Sequence, residues 1–300
     1  MSVRLLHVRP GELAPWVEQL AALERDISYP IDDGRDRFVI SHGAAYHPFF
    51  SALGEAHFLL ALEGDRVIGC VAGVRKPVQA PRGEVAAVYL GDLKVHADWR
   101  GRRVPARMMA KALAISLGDW SALHWRFAFG AAMRGDRGDV MRSVKGANVM
   151  RLGSSFATLD MYFASPATLA GLDVSGAPAT PKSPGLDLSP AEQRDVVSTS
   201  GSKDFVLRST GKPWTLVHLP RGPAGWGESH AAYLRRGGEQ LVKDGAPGPA
   251  CFAIDRRLTA ERGFLKARGL EPGAVCTVYA LATTTKVRGA TWVHLATSEI

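Results

Sequence analysis

Hydrophobic and polar positions repeat along the chain with two different periods, which predict strands and helices in alternation. Residues 4–9 alternate apolar and polar side chains, as a half-buried strand does. Residues 13–23 place Leu or Trp at three- and four-residue steps, which predicts an amphipathic helix. Two hydrophobic segments, 57–62 and 67–74, flank the turn-forming sequence Glu63-Gly64-Asp65-Arg66. That spacing predicts a β-hairpin.

The pattern continues with a long strand and a helix. Residues 84–95 form a run rich in Val, Ala and Leu, and a helix is predicted over residues 104–117. Strands are expected at 123–129 and 155–163, with a short helix at 136–145 between them. This order predicts an α/β fold around a mixed sheet.

Proline and glycine divide the chain. Pro, Ser, Gly, Ala and Thr concentrate in residues 166–202, so we expect a first domain at 1–165, a Pro-rich linker at 166–202 and a smaller α/β domain at 203–300. In the last segment the order and lengths of the predicted elements resemble those of the first domain. A degenerate second copy of the same fold is therefore suggested.

Composition and charge narrow the function classes. With 46% hydrophobic and 22% charged residues among 300, the chain is globular, which excludes disordered, collagen-like and disulfide-scaffold classes. Lys and Arg number 37 against 29 Asp and Glu, and the net charge of +8 invites an anionic partner. A nucleic acid, a membrane surface and a phosphorylated cofactor are all compatible with that charge.

The ends and the cysteines indicate a cytoplasmic protein. Residues 1–10 lack the apolar block of an export signal, and the longest apolar runs are far shorter than the ~20 residues of a membrane-spanning helix. The three cysteines are scattered, without the spacing of a zinc ribbon or a disulfide framework. No metal site is expected.

The most informative segment is the turn between the long strand and the helix at 104–117. Four arginines cluster there within eight residues: Arg100, Arg102, Arg103 and Arg107. A helix amino terminus presents unpaired N–H groups and a partial positive charge, and guanidinium groups add charge-assisted donors. The segment is suited to a diphosphate; the alternative is a solvated basic turn.

These residues resemble a motif of the GNAT superfamily of N-acyltransferases. In that family a fourth strand with a Leu-x-Val pattern precedes Arg or Gln, two variable residues, and a Gly-x-Gly or Gly-x-Ala that opens a helix. Leu93–Val95 and Arg100–Arg102 match the pattern, whereas Arg103 and Pro105 stand where the two motif glycines would be. The resemblance covers about residues 3–165 and implies a GNAT-like amino-terminal domain.

The resemblance also implies a co-substrate, acetyl-CoA or another acyl-CoA, and a small-molecule or peptide amine as acceptor. Strand backbone at Leu93–Val95 would pair with pantetheine, and N–H groups of residues 102–106 would hold the diphosphate. Pro105 supplies no N–H there, although it suits a first helical turn. The cofactor-binding residues implied are Leu93, Val95, Arg100, Gly101, Arg102, Arg103, Val104 and Ala106.

Catalytic candidates come from the same strand. The family commonly places a Glu or Asp base on this strand and a Tyr acid on the following helix. Glu84, Tyr89 and Asp92 have suitable side chains, and an ion pair with Lys94 or an arginine is the alternative role for Asp92. Residues 139–146 carry no tyrosine, which leaves Tyr162 as the substitute.

Two main hypotheses follow for the function. The first is an N-acyltransferase that moves an acetyl or longer acyl group from acyl-CoA to an amine by direct attack in a ternary complex. The alternative is a catalytically inactive GNAT-like module that senses acyl-CoA. Nucleic-acid binding is disfavoured because aromatic residues do not alternate with Lys and Arg.

Overall fold

The computed structural model describes residues 3–31, 35–118, 126–133, 154–190 and 195–300, and it confirms a mixed α/β fold. The helices are α1 (Val17–Arg25), α2 (Pro48–Leu53), α3 (Val104–Gly118), α4 (Pro166–Ala170), α5 (His230–Lys243) and α6 (Thr259–Lys266). Strands of the first half are β1 (Val3–Val8), β2 (Tyr29–Ile31), β3 (Asp36–Ser41), β4 (Glu55–Glu63), β5 (Arg66–Ala80), β6 (Gly83–Val95), β7 (Phe127–Met133) and β8 (Ser154–Ala164). Strands of the second half are β9 (Gly185–Asp187), β10 (Val197–Ser198), β11 (Asp204–Leu207), β12 (Pro213–Trp214), β13 (Val217–His218), β14 (Ala250–Asp255), β15 (Ala274–Ala282) and β16 (Trp292–His294).

The predicted hairpin and long strand lie at the centre of the first half. Strands β4 and β5 pair antiparallel on either side of a turn in which Gly64 has a φ of 58°, a left-handed value that glycine adopts easily. Strand β5 runs on to Ala80, beyond the predicted end, because it also pairs along the length of β6. This meander, extended by β1 on its outer edge, gives β6 a rigid neighbour.

The two halves share one large sheet, whose order is β1-β4-β5-β6-β7-β15-β8-β14-β13-β10. Strands β6 and β7 are parallel, and so are β13 and β14, with α3 and α5 respectively between the partners in the chain. Strand β15 from the second half lies between β7 and β8, and β8 from the first half lies between β15 and β14. Thus β15 of the second half lies beside the parallel pair of the first half, and β8 of the first half lies beside the parallel pair of the second. This exchange agrees with a second half that is a degenerate copy of the first.

Residues 166–202 carry more structure than their composition predicts. They contain α4, β9 and β10, and β9 pairs with both β16 and β5. Helix α4 also packs on α5. The segment thus takes part in the fold, and the division at residues 165 and 203 stays a prediction. The predicted helix at 136–145 lies outside the described residues.

The two faces of β6 have different neighbours. On one face Val85, Ala87 and Tyr89 are buried in the main core, which a small sheet of order β12-β11-β3-β2 helps to cover. On the other face α3 packs through Val104 and Met108. Within the part of the chain that the structure describes, we find no helix with the length and apolar character needed to cross a bilayer.

Candidate active site

The parallel strands β6 and β7 diverge. They pair only from Ala87, opposite Phe127, to Tyr89, opposite Phe129, although β6 continues to Val95. Beyond Tyr89, among the described strands, β6 is paired only with β5. In the part of the chain that the structure describes, the backbone groups of residues 90–95 that face β7 therefore line an edge without a partner strand, which we call the open edge. An extended ligand can add to such an edge through main-chain hydrogen bonds.

A β-bulge interrupts β6 at this open edge. Cys70 pairs with Lys94 but Ala72 pairs with Gly91, so β6 has one residue more than β5 between the two pairs. Asp92 has a φ of 55°, which lies in the left-handed region that residues other than glycine rarely adopt. The extra residue inverts the alternation of side chains along the strand.

As a result, Asp92 and Lys94 face the main core, as Tyr89 does before the bulge. Leu93 instead packs on the opposite side with the residues under α3, and Val95 is buried among them. Asp92 therefore lies on the face opposite to Leu93.

Asp92 belongs to a buried ionic cluster, which we define as Glu24, His42, Tyr46, Asp92 and Lys94. The Lys94 Nζ atom lies 2.5 Å from Oδ1 of Asp92 and 3.0 Å from Oε1 of Glu24. The hydroxyl of Tyr46 donates to Oδ2 of Asp92. On the far side, Glu24 Oε1 lies 2.5 Å from Nδ1 of His42. The predicted alternative role of Asp92, an ion pair with Lys94, is thus present.

The surroundings of the cluster determine its protonation. Burial by itself would raise the pKa of Asp92, but the charges of Lys94 and His42 and the hydrogen bonds from Lys94 and Tyr46 lower it to about 2. Burial would lower the pKa of Lys94, and the carboxylates of Asp92 and Glu24 outweigh it and raise that pKa. Both groups are charged at neutral pH. An ionised carboxylate with so low a pKa is a weak proton acceptor.

Three members of the cluster have the chemistry of metal ligands. One ligand atom from each of Glu24, His42 and Asp92 lies within 4.8 Å of the others. The ammonium group of Lys94, however, already contacts both carboxylates. A metal ion would have to displace this ammonium group, because two cations at such distances repel strongly.

The arginine-rich turn follows β6 directly and leads into α3. Gly101 has a φ of 78° and Arg103 a φ of 59°. Arg103 thus has the left-handed conformation that a glycine at this place in the GNAT motif would adopt easily, although Arg103 carries a side chain. Pro105 is the second residue of α3, where its missing N–H breaks no intrahelical bond. Both departures from the motif therefore fit the local backbone.

The arginine side chains of the turn are held in different ways. Arg100 Nε donates to the carbonyl of Val95 at 3.2 Å, and the Arg102 guanidinium lies 4.8 Å from the ring centroid of Trp99. Arg107 donates to the carbonyl of Val3 at 2.8 Å. Arg100, Arg102 and Arg103 are exposed at the start of α3. They surround the helix terminus with positive charge.

The other predicted catalytic residues lie elsewhere. Glu84 is exposed at the opposite end of β6, eight residues from Asp92, or about 26 Å along a strand. Tyr89 is buried, its hydroxyl donates to the carbonyl of Glu299 at 2.6 Å, and burial raises its pKa. Tyr162 stacks on Phe252 with ring centroids 5.0 Å apart, in the hydrophobic cluster of the second half. Residues 139–146, where a helix tyrosine was sought, lie outside the described residues.

Sequence reasoning missed most of the ionic cluster. The structure shows His42 buried against Glu24. Lys94 carried a usable signal, because it stands between Leu93 and Val95 in an otherwise apolar strand. A lysine on a buried face needs a carboxylate partner. Nothing in the spacing pointed to Glu24 or Tyr46 as partners.

In the amino-terminal half, the parallel strands β6 and β7 diverge beside the basic amino terminus of α3. Residues 22–124 match the sequence model described as the Acetyltransferase (GNAT) family. Residues 22–124 are therefore similar in sequence to the GNAT acetyltransferases. The two departures at Arg103 and Pro105 lie within the matched segment.

Comparison with solved structures extends the likeness to both halves. The chain is similar to Saccharomyces cerevisiae N-myristoyltransferase with bound myristoyl-CoA, with a TM-score of 0.53, 11% identity, and coverage of 94% of this chain and 79% of that one. A second structure of that yeast enzyme with myristoyl-CoA gives a TM-score of 0.51 at 12% identity, covering 93% and 82% of the two chains. At such identities the likeness shows the fold alone. No curated protein matches by sequence.

Proposed function

We propose that this protein is an N-acyltransferase that moves an acyl group from acyl-CoA to an amine acceptor. One observation carries the proposal: the open edge of β6 at residues 90–95 leads directly into the arginine-rich turn before α3. An extended amide-bearing arm fits the first feature and a diphosphate fits the second. Acyl-CoA has both groups in that order.

The donor would lie along β6 and across the start of α3. We assign the pantetheine amides to the backbone of Leu93–Val95 and the diphosphate to N–H groups of residues 102–106, except that of Pro105. The exposed guanidinium groups of Arg100, Arg102 and Arg103 would supply charge that this missing donor cannot. The acyl carbon would then lie near the point where β6 and β7 separate.

The chemistry is a direct transfer. The lone pair of a neutral amine attacks the thioester carbonyl carbon, the C–S bond breaks, and the thiolate leaves with the electron pair. The proton lost by the nitrogen ends on the thiol, so the products are an amide and free CoA. The low pKa of Asp92 argues against storage of that proton there. We therefore expect the rate to rise with pH up to the pKa of the acceptor amine.

Calorimetric titration tests the proposal. Acetyl-CoA and longer acyl thioesters are titrated into the protein, and thiol release is measured with a panel of small-molecule and peptide amines. We expect Arg100→Ala to weaken donor binding about tenfold. Arg82→Ala is the matched control, because Arg82 is also exposed but lies in the turn at the far end of β6.

The outcomes separate the candidate functions. Saturable binding with amine-dependent thiol release supports acyl transfer. Binding without release across the whole panel supports the alternative, an acyl-CoA-sensing module. No binding of any thioester at millimolar concentration overturns both.

A further inference from the structure

The buried ionic cluster places three charged side chains beneath the proposed donor edge, and all three are almost completely shielded from solvent. The side chain of Lys94 is 1% exposed, that of Glu24 4% and that of Asp92 6%. Their elements are far apart in the chain, since Glu24 lies on α1 and the other two on β6. We propose that the chain of ion pairs Glu24–Lys94–Asp92 is a positioning device that holds the bulge of β6 in the shape that binds the acyl donor. This inference rests on the proposed function.

The first step is the strain at Asp92. A left-handed φ is uncommon for a residue with a side chain, even for Asp. Such a conformation persists only where the surroundings fix it. Asp92 is fixed on both sides, because Tyr46 and Lys94 hold its carboxylate and the Cys70 thiol lies 3.5 Å from its carbonyl oxygen.

The second step is the register of the edge. A strand alternates with a period of two, so loss or movement of the extra residue turns every following residue to the other face. Leu93 and Val95 would leave the α3 side, and their backbone N–H and C=O groups would point away from the open edge. The ionic cluster touches only Asp92 and Lys94, but it thereby fixes the donor edge at residues 93–95.

The third step is the choice of charged residues. A buried ion pair is often no more stabilising than apolar side chains of similar volume, whereas an isolated buried charge is strongly destabilising. Stability therefore gives little reason for three buried charges here. Their directional hydrogen bonds supply what apolar packing lacks, namely a defined position for the Asp92 backbone.

The test removes the ammonium group and then restores the bulge by other means. Lys94→Met is compared with Lys76→Met, because Lys76 is also a buried lysine on the same sheet, 2.5 Å from Glu299. Lys76→Met leaves one buried carboxylate, that of Glu299, short of a partner, and Lys94→Met leaves two, those of Asp92 and Glu24, so Kd values are compared under conditions in which circular dichroism shows both variants folded. We expect Lys94→Met to raise the Kd for acetyl-CoA at least tenfold and Lys76→Met less than twofold.

Rescue distinguishes positioning from general stability. In the double variant Lys94→Met/Asp92→Gly, glycine adopts the left-handed φ without help. The unpaired carboxylate of Asp92 is removed, while that of Glu24 keeps its contact with His42. Donor affinity should return to within threefold of the original Kd. Equal loss of affinity in the two single variants, an unchanged Kd in a folded Lys94→Met, or no rescue in the double variant would each overturn the inference.

Two further measurements keep the result interpretable. If Lys94→Met does not fold, the Kd for acetyl-CoA is compared between Glu24→Gln and Lys76→Met by the same criteria. The double variant is then compared with the original chain. Hydrogen exchange of the backbone amides at residues 90–95 needs no donor. If the original chain binds no thioester, the proposed function fails, while faster exchange there in Lys94→Met than in Lys76→Met still supports the bulge-holding role and equal exchange overturns it.

Discussion

The ammonium nitrogen of Lys94 lies 2.5 Å from Oδ1 of Asp92, two residues earlier on the same strand, and both side chains are almost fully buried. A bulge within the part of β6 that has separated from β7 places both side chains on the core face. The pair thus lies between the main core and the open edge of β6. The protonation of Asp92 can be followed through the pH dependence of unfolding, without an activity assay.

Acid should weaken the protein through Asp92. Its pKa is lowered from 3.8 to about 2 in the folded state, so the unfolded chain takes up protons first as the pH falls. The stabilisation, about 2 kcal/mol, is complete above pH ~4 and is lost as the pH falls through about 2. Urea unfolding from pH 2 to 6 should show that the difference in the free energy of unfolding between the original protein and Asp92→Asn becomes smaller below pH ~4. Asp65→Asn, at a fully exposed position, should show no such convergence.

Alkali should act in the opposite direction through Lys203. Burial lowers the pKa of this lysine from 10.5 to about 8. Between those two values the unfolded chain binds more protons, so the free energy of unfolding rises with pH, by about 3 kcal/mol in all. The stability of the original protein relative to Lys203→Met should therefore increase from pH 8 to 10.5. The same comparison with exposed Lys212→Met should be flat, and a flat profile for Lys203 would contradict the prediction.

Arg103 should tolerate glycine better than alanine. Its φ of 59° strains any residue with a Cβ, and glycine removes that strain. Arg103→Gly should be about 1 kcal/mol more stable to urea than Arg103→Ala, although both lack the guanidinium group. At Arg102, whose φ is not positive, alanine should be at least as stable as glycine. Equal stability of the two Arg103 variants would show that the turn relaxes.

Tyr162 should be dispensable for acyl transfer. It stacks on Phe252 in the cluster of the second half, and burial raises its pKa to about 12. Tyr162→Phe keeps the stacked ring, so kcat with acetyl-CoA and an active amine should stay within twofold. Tyr46→Phe, which removes a hydrogen bond to Asp92, should instead raise KM for the donor. A tenfold fall in kcat for Tyr162→Phe alone would restore it as the proton donor.

Several local features could be predicted from the sequence because they depend on neighbours along the chain. The hairpin around Gly64, the long strand ending at Val95 and the start of α3 near Val104 follow from periodicity and turn residues. The sequence also identified Arg103 and Pro105 as departures from a glycine motif, but not that the backbone at Arg103 keeps a left-handed φ.

Long-range features could not be predicted in this way. Glu24 is 70 positions from Lys94, and Tyr46 is 46 positions from Asp92, so no local spacing relates them. The placement of β15 between β7 and β8 likewise depends on how the second half docks. Propensity and periodicity describe single elements, whereas pairing between distant elements depends on the apolar surface that the elements bury against each other.

By itself, the sequence determined the kinds of elements, their order, and the positive charge concentrated at one strand-to-helix turn. Only the tertiary structure decided what Asp92 contacts, because Tyr46 and Lys94 approach it in the buried interior and Lys94 also pairs with Glu24. In that space a carboxylate persists only when its charge and lone pairs are satisfied. The residue that the sequence suggested as a catalytic base is thus, in the folded protein, an ionised and fully engaged group beside the proposed donor edge.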